Sequence, residues 1–147
     1  MTTEPRSADP EVHIRAVIEE RAKAIRAKNA ADVVRHHAPD FVQFSLAPPL
    51  ISTAADAEGW NAWFATWRGG LGYEIHRLHV TAAGEVAFTR SLNRLSGTTV
   101  DGETEDIWFR QTLGFHKVAG EWKIVHEHES VPFYMDGSLK AAVDLQP

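Results

Sequence analysis

Beyond Gly72 the chain is written almost entirely in extended runs. Tyr73 to Thr81, Glu85 to Leu95, Glu105 to Val118 and Glu121 to Val131 follow one another, separated by short glycine-bearing turns at Gly84 and Gly120 and a longer loop from Gly97 to Gly102. Runs spaced in this way predict an antiparallel meander. The first seventy residues read differently. Helical periods dominate there, so the order is helices first and strands afterwards, which points to an α+β domain with helices covering one face of a bent antiparallel sheet.

The helical part can be resolved further. Asp9-Pro10 reads as an N-cap followed by a first helical residue, because Asp accepts orphan amide hydrogens and Pro has none to leave unpaired. Ile14, Val17, Ile18, Ala22 and Ile25 then recur at steps of three and four, predicting a first helix that ends near Asn29. A short second helix through Val33 and Val34 stops before Pro39, and the alternation from Phe41 to Leu46 predicts a first strand. Ser52-Thr53 with Asp56 resembles a capping arrangement. Trp60, Trp63, Phe64 and Trp67 follow at helical spacing up to Gly69-Gly70, giving a third helix with a heavy aromatic face that serves as core or as a ligand wall.

At 147 residues the chain suits one domain with a core large enough to need no staples. The expected division is a flexible N-terminus over 1–9, the domain over 10–132, and a C-terminal tail over 133–147 that serves as a lid or a dimer contact. There is no Cys, which excludes disulfides, thiolate nucleophiles and Cys-based metal centres. Fifteen Lys and Arg against 20 Asp and Glu, with no basic run, argue against nucleic acid as a partner. No stretch approaches the length of a membrane span, so neither a membrane nor a signal peptide is expected and a cytoplasmic location is read.

The last run, Trp122 to Ser130, carries the chemistry. Side chains alternate along a strand, so Trp122, Ile124, His126 and His128 are expected on one face, with Lys123, Glu127 and Glu129 on the other. A two-residue turn at Ala119-Gly120 pairs Val118 with Glu121 and places Phe109, Gln111, Leu113 and Phe115 with the histidines on the inside. The same register sets Arg110 opposite Glu129 and His116 opposite Lys123 outside, beside Trp108, as a dimer contact. On the preceding run, Val86, Phe88, Arg90, Leu92 and Arg94 share a face, so Arg90 is expected inside, held by a carboxylate such as Glu74 or by an anionic ligand. The spacing of His126 and His128 also suits a metal, but no third ligand stands at a telling distance, and no metal or other cofactor is expected. Neither a nucleophile elbow nor a phosphate loop is present.

Residues 11 to 132, ending in Gly120-Glu-Trp-Lys-Ile-Val-His-Glu-His-Glu-Ser130, resemble the SnoaL-like branch of the nuclear transport factor 2-like superfamily. That resemblance implies a cone-shaped α+β fold with a pocket between helices and sheet, commonly homodimeric, in a group that includes ketosteroid isomerases, polyketide cyclases, dehydratases and non-catalytic association domains. The isomerases place an Asp base on the first strand. Here Ser45 stands near that position, which argues against steroid isomerase chemistry. Val86-Ala-Phe-Thr-Arg90 and the His126-x-His128 ending also resemble the association domain of calcium/calmodulin-dependent protein kinase. Arg90 matches one of its pocket arginines, while Leu113 and Glu129 replace others.

The expectation is therefore a small-molecule pocket protein, a lyase or isomerase for a small carboxylate or carbonyl compound. His126 or His128 is the acid/base, Arg90 the anion holder, Gln111 part of a polar floor, and Trp60, Trp63, Phe44 and Phe109 the walls. The alternative is a non-catalytic ligand-binding or dimerisation module.

Overall fold

The computed structural model describes residues 9–53 and 56–147. Residues 1–8 of the segment expected to be a flexible terminus lie outside them. Helix α1 spans Pro10–Arg26, and the Asp9 carboxylate accepts the Glu11 amide as its N-cap, as the Asp-Pro pair predicts. It ends three residues before Asn29, because Asn29 is itself the N-cap of α2 (Ala30–Val34), accepting from the Asp32 amide. Strand β1 runs His37–Phe44, and α3 covers Ala57–Phe64 with Asp56 as N-cap on the Gly59 amide. Then come β2 (Trp67–Ala83), β3 (Val86–Thr99), β4 (Thr104–Val118) and β5 (Glu121–Ser130).

The four long strands form the expected antiparallel meander, and β1 adds to it in parallel beside β5, so the sheet order is β1-β5-β4-β3-β2. Pro39 is tolerated because β1 is an edge strand. Ala119 and Gly120 both have positive φ, the backbone a two-residue hairpin turn requires, and Val118 pairs with Glu121.

Trp67 and the two glycines after it correct the expected third helix. That helix closes at Phe64 with Ala65 as its C-cap, and Trp67 opens β2. The Trp67 ring keeps helical spacing because it packs on Trp63 at 6.0 Å within one aromatic cluster, whatever its backbone does. Gly69-Gly70 then form an irregularity inside β2, with Gly69 at φ 69°, and a second irregularity lies at Arg77. These two breaks bend the long strand.

Helix α1 lays its buried face across the sheet. Ile14 and Ile18 join Phe41, Leu113, Phe115, Trp122 and Ile124 in one apolar cluster; Ala22 and Ile25 join Phe64, Trp67, Leu71, Leu95 and Phe109 in another. Along β4 the inward residues are Phe109, Gln111 and Leu113, so the two clusters are separated by a polar layer at Gln111. The tail folds back on itself through a Phe133–Ala141 bridge and the Ala142 amide bonded to the Pro132 carbonyl at 2.8 Å.

Candidate active site

The polar layer is built by helix α1 and all five strands. On α1, Arg21 stands three residues after Ile18 on the apolar stripe and is 3% exposed. Its Nη1 meets the Glu127 carboxylate of β5 at 2.9 Å, and its Nε donates to His37 Nε2 at 3.1 Å. Gln111 Nε2 donates to the same carboxylate at 2.9 Å, and Gln43 of β1 to its other oxygen. Glu127 is thus held by three donors, the condition under which a buried carboxylate is tolerable. Burial works against the Arg21 charge, but Glu127 more than offsets it and the guanidinium pKa is raised.

A chain of hydrogen bonds continues from there. Ser91 Oγ donates to Asn93 Oδ1 at 2.6 Å, and Asn93 Nδ2 donates to Gln111 Oε1 at 3.0 Å and to the Tyr73 oxygen at 3.1 Å. Gln111 Nε2 also donates to Tyr73, at 3.2 Å. The phenol oxygen accepts two bonds and so has filled its lone pairs, which leaves its own hydrogen to point elsewhere. Burial, reinforced by Glu129 and Glu127, raises the Tyr73 pKa and keeps that hydrogen in place.

Tyr73 faces a cavity of about 490 Å³, whose walls include Trp60, Trp63, Leu95 and Phe109, with Gln43, Ser45, Glu127 and Glu129 supplying polar atoms and the 45–48 loop closing one side. Glu129 differs from its neighbour two residues earlier. No hydrogen bond or ion pair holds it among the described residues. Burial and the nearby Glu127 charge, opposed by Arg21, raise its pKa well above the usual carboxylate value. Burial and a like charge beside it favour the protonated carboxyl.

Several expected site residues lie elsewhere, and one residue explains most of the difference. Phe115 pairs with Ile124 but Gly114 pairs with His126, so Val125 is an extra residue in β5. This bulge inverts the alternation beyond it. Trp122 and Ile124 point inward as expected, but Glu127 and Glu129 then take the inner face, and His126 and His128 turn outward. Glu129 therefore leaves the outer contact assigned to it; it pairs with Gln111, and Arg110 pairs with Ser130. Phe44 follows the histidines away from the cavity and sets its ring edge against His126 at 4.7 Å and His128 at 5.2 Å.

Arg90 is likewise exposed. On β3 the buried face is Ala87, Thr89, Ser91 and Asn93, and the apolar Val86 and Phe88 are outside, each 51% exposed. The expectation placed the more apolar face inside, whereas the interior here is a hydrogen-bonded layer. Glu74, the carboxylate expected to hold Arg90, instead lies 3.6 Å from Arg94 and 3.0 Å from His76. Trp60, Trp63 and Phe109 are brought together at the cavity and Ser45 lines it, whereas Gln111 lies behind the wall, bonded to the lining residues Tyr73 and Glu127. Arg21, Tyr73 and Glu127 were missed. The legible signal was Arg21, a cation on an otherwise apolar helical stripe.

Residues 14–134 match the SnoaL-like domain family. The chain belongs to that family. An NTF2-like protein of unknown function from Pseudomonas putida KT2440 is 31% identical, with 93% of this chain and 96% of that one covered and a TM-score of 0.83. At lower identity the fold alone is shared. A ketosteroid isomerase-like protein from Erwinia carotovora atroseptica SCRI1043 is 21% identical over 84% of this chain and 96% of that one, with TM-score 0.70. The association domain of C. elegans CaMKII is 18% identical over 82% and 94%, with TM-score 0.64. No curated protein matches the chain. The SnoaL-like fold thus carries the α+β architecture expected from the sequence, and no helix among the described residues is long and apolar enough to cross a membrane.

Proposed function

We propose that this SnoaL-like protein is a proton-transfer enzyme, a lyase or isomerase acting on a small carbonyl compound held in the cavity. The observation that carries this reading is Glu129, a half-buried carboxyl on the cavity wall with a raised pKa and no partner among the described residues. It acts as acid/base, a role for which a carboxyl whose pKa is raised by burial is suited. The free Tyr73 hydrogen lies on the same wall and donates to oxygen on which charge develops. Trp60, Trp63 and Phe109 supply apolar walls. Arg21 is committed to Glu127, so the carbonyl class is favoured over the carboxylate class.

The test is a binding and turnover screen of ring-bearing ketones, small carboxylates and hydroxy compounds with wild type, Glu129→Gln and Tyr73→Phe. Turnover lost in Glu129→Gln while ligand still binds supports the reading. Binding that all three proteins share, without turnover in any, leaves a ligand-binding module instead.

The outer face of the sheet favours an accompanying reading, a homodimer. Val86 and Phe88 are exposed there, and Trp108 lies on that side with Arg94 5.7 Å from its ring and His76 at 4.9 Å. An apolar patch rimmed by charge is the usual form of a subunit contact. The proposed location is cytoplasmic, and the proposed domain limits are 10–132, with the tail outside the cavity wall.

A further inference from the structure

The bulge at Val125 has turned two imidazoles outward side by side. We propose that His126 and His128 form a binding site for a divalent transition-metal ion on the outer face of β5, independent of the cavity and of the reaction proposed for it.

His126 Nδ1 lies 2.8 Å from the Val42 carbonyl oxygen. A carbonyl can only accept, so Nδ1 carries the hydrogen and Nε2 presents its lone pair. An imidazole oriented through a backbone carbonyl is the usual outer support of a metal ligand. His128 is exposed. The ring centroids are 6.3 Å apart. With metal–nitrogen bonds of about 2.0–2.1 Å, an ion sits roughly 3.2 Å from each centroid, so two ligating rings stand at most about 6.4 Å apart and about 5.2 Å apart at a tetrahedral angle. The observed separation lies just inside that upper limit, and an inward turn of His128 by about 1 Å brings it to the tetrahedral value.

The surroundings leave room for it. Gly114 stands opposite His126 and has no side chain; a Cβ there would meet the His126 Cβ at 3.6 Å. Thr112 stands opposite His128. Phe44 braces both rings edge-on from β1. The nearby cation of Arg110 is turned onto Ser130 Oγ at 3.0 Å. Two protein nitrogens leave the remaining coordination positions to water or to an added donor. The imidazole pair favours copper or zinc over magnesium or calcium.

The test is titration of the full chain with Cu²⁺, followed by calorimetry and by electron paramagnetic resonance. The expected result is one saturable Cu²⁺ per chain with nitrogen hyperfine structure. His126→Ala and His128→Ala each weaken it at least about tenfold, while His79→Ala, which removes an exposed imidazole of β2, leaves it unchanged. Absence of saturable binding by the wild type, equal affinity in the double His126→Ala, His128→Ala variant, or loss on His79→Ala overturns the proposal. Circular dichroism of each variant confirms that the fold is retained, and Zn²⁺ protection of the two rings from diethyl pyrocarbonate provides a readout that needs no variant.

Discussion

Arg21 of α1 and Glu127 of β5 form an ion pair at 2.9 Å with their side chains 3% and 2% exposed, and it ties the first helix to the last strand. Removing one partner leaves the other charge buried and uncompensated, a cost of about 3–5 kcal/mol. Arg21→Met or Glu127→Leu alone is therefore expected to lower the unfolding free energy by that amount in urea denaturation. The double variant should recover much of the loss. Equal, additive losses would show that the pair acts through packing alone.

His37 receives the Arg21 Nε hydrogen, which only a neutral ring nitrogen can do. Burial first, then Arg21 and His36, lower its pKa from 6.5 to about 2. Because the folded pKa is depressed, the unfolded chain binds the proton first. The contribution to stability is complete above pH 6.5 and declines as pH falls toward 2, by no more than about 1.4 kcal/mol per pH unit. His37→Gln keeps an acceptor for Arg21 and removes the titration. Its stability should vary less between pH 7 and pH 4 than that of the wild type, whatever its value at pH 7, and parallel curves would count against the assignment.

For Glu129 the sign is opposite. Its folded pKa lies above the ordinary value of 4.5, so ionising it costs stability as pH rises from 4.5 through the folded pKa. Glu129→Gln should be more stable than wild type at pH 8, and the advantage should vanish below pH 4.5. Thermal melts of both proteins across that range, without ligand, measure this separately from any activity. A variant that is no more stable at high pH would mean that Glu129 reaches solvent.

Trp108→Asp places a charge on the outer face beside Asp106 and is expected to convert a dimer to monomer while the cavity stays intact. Light scattering after size exclusion reads the mass, and ligand-induced thermal shift reads the cavity. A monomeric wild type would remove the outer face from the account.

Much of the fold was legible because its signals are local. The Asp9-Pro10 cap, the Ile14–Ile25 stripe and the Ala119-Gly120 turn each act over a few residues, and each is where the sequence places it. The site was half legible. Trp60, Trp63 and Phe109 were readable as cavity wall from periodicity and face, but which titratable side chains of β5 face the cavity depended on parity along β5, a property that one residue reverses. Nothing marks Val125 as that residue, since Ile-Val is ordinary strand sequence and a bulge is decided by pairing with β4 and β1. Arg90 was misplaced for a different reason. Hydrophobic pattern finds the drier face only when the interior is dry, and here Thr89, Ser91, Asn93 and Gln111 line the buried side.

The last prediction follows from that parity. Deleting Val125 removes the extra residue and leaves simple alternation after Ile124, with His126 and His128 still outside and Glu127 and Glu129 still inside, so only the bulge and its local bend are lost. Arg21 would still face the Glu127 carboxylate, and Gln43 and Gln111 would keep their common acceptor. The deletion is expected to keep cooperative melting, with a loss of up to about 3 kcal/mol from the altered bend of β5. Deleting His126 as well makes Glu127 the next residue after Ile124, which turns Glu127 and Glu129 outward and His128 inward against Arg21, and should abolish cooperative melting. Val125→Ala keeps the residue count and should retain the fold with a loss below about 1.5 kcal/mol, since only methyl groups are removed from a half-buried position. Cooperative folding of the double deletion would show that side-chain pairing, and not residue count, sets the register of β5.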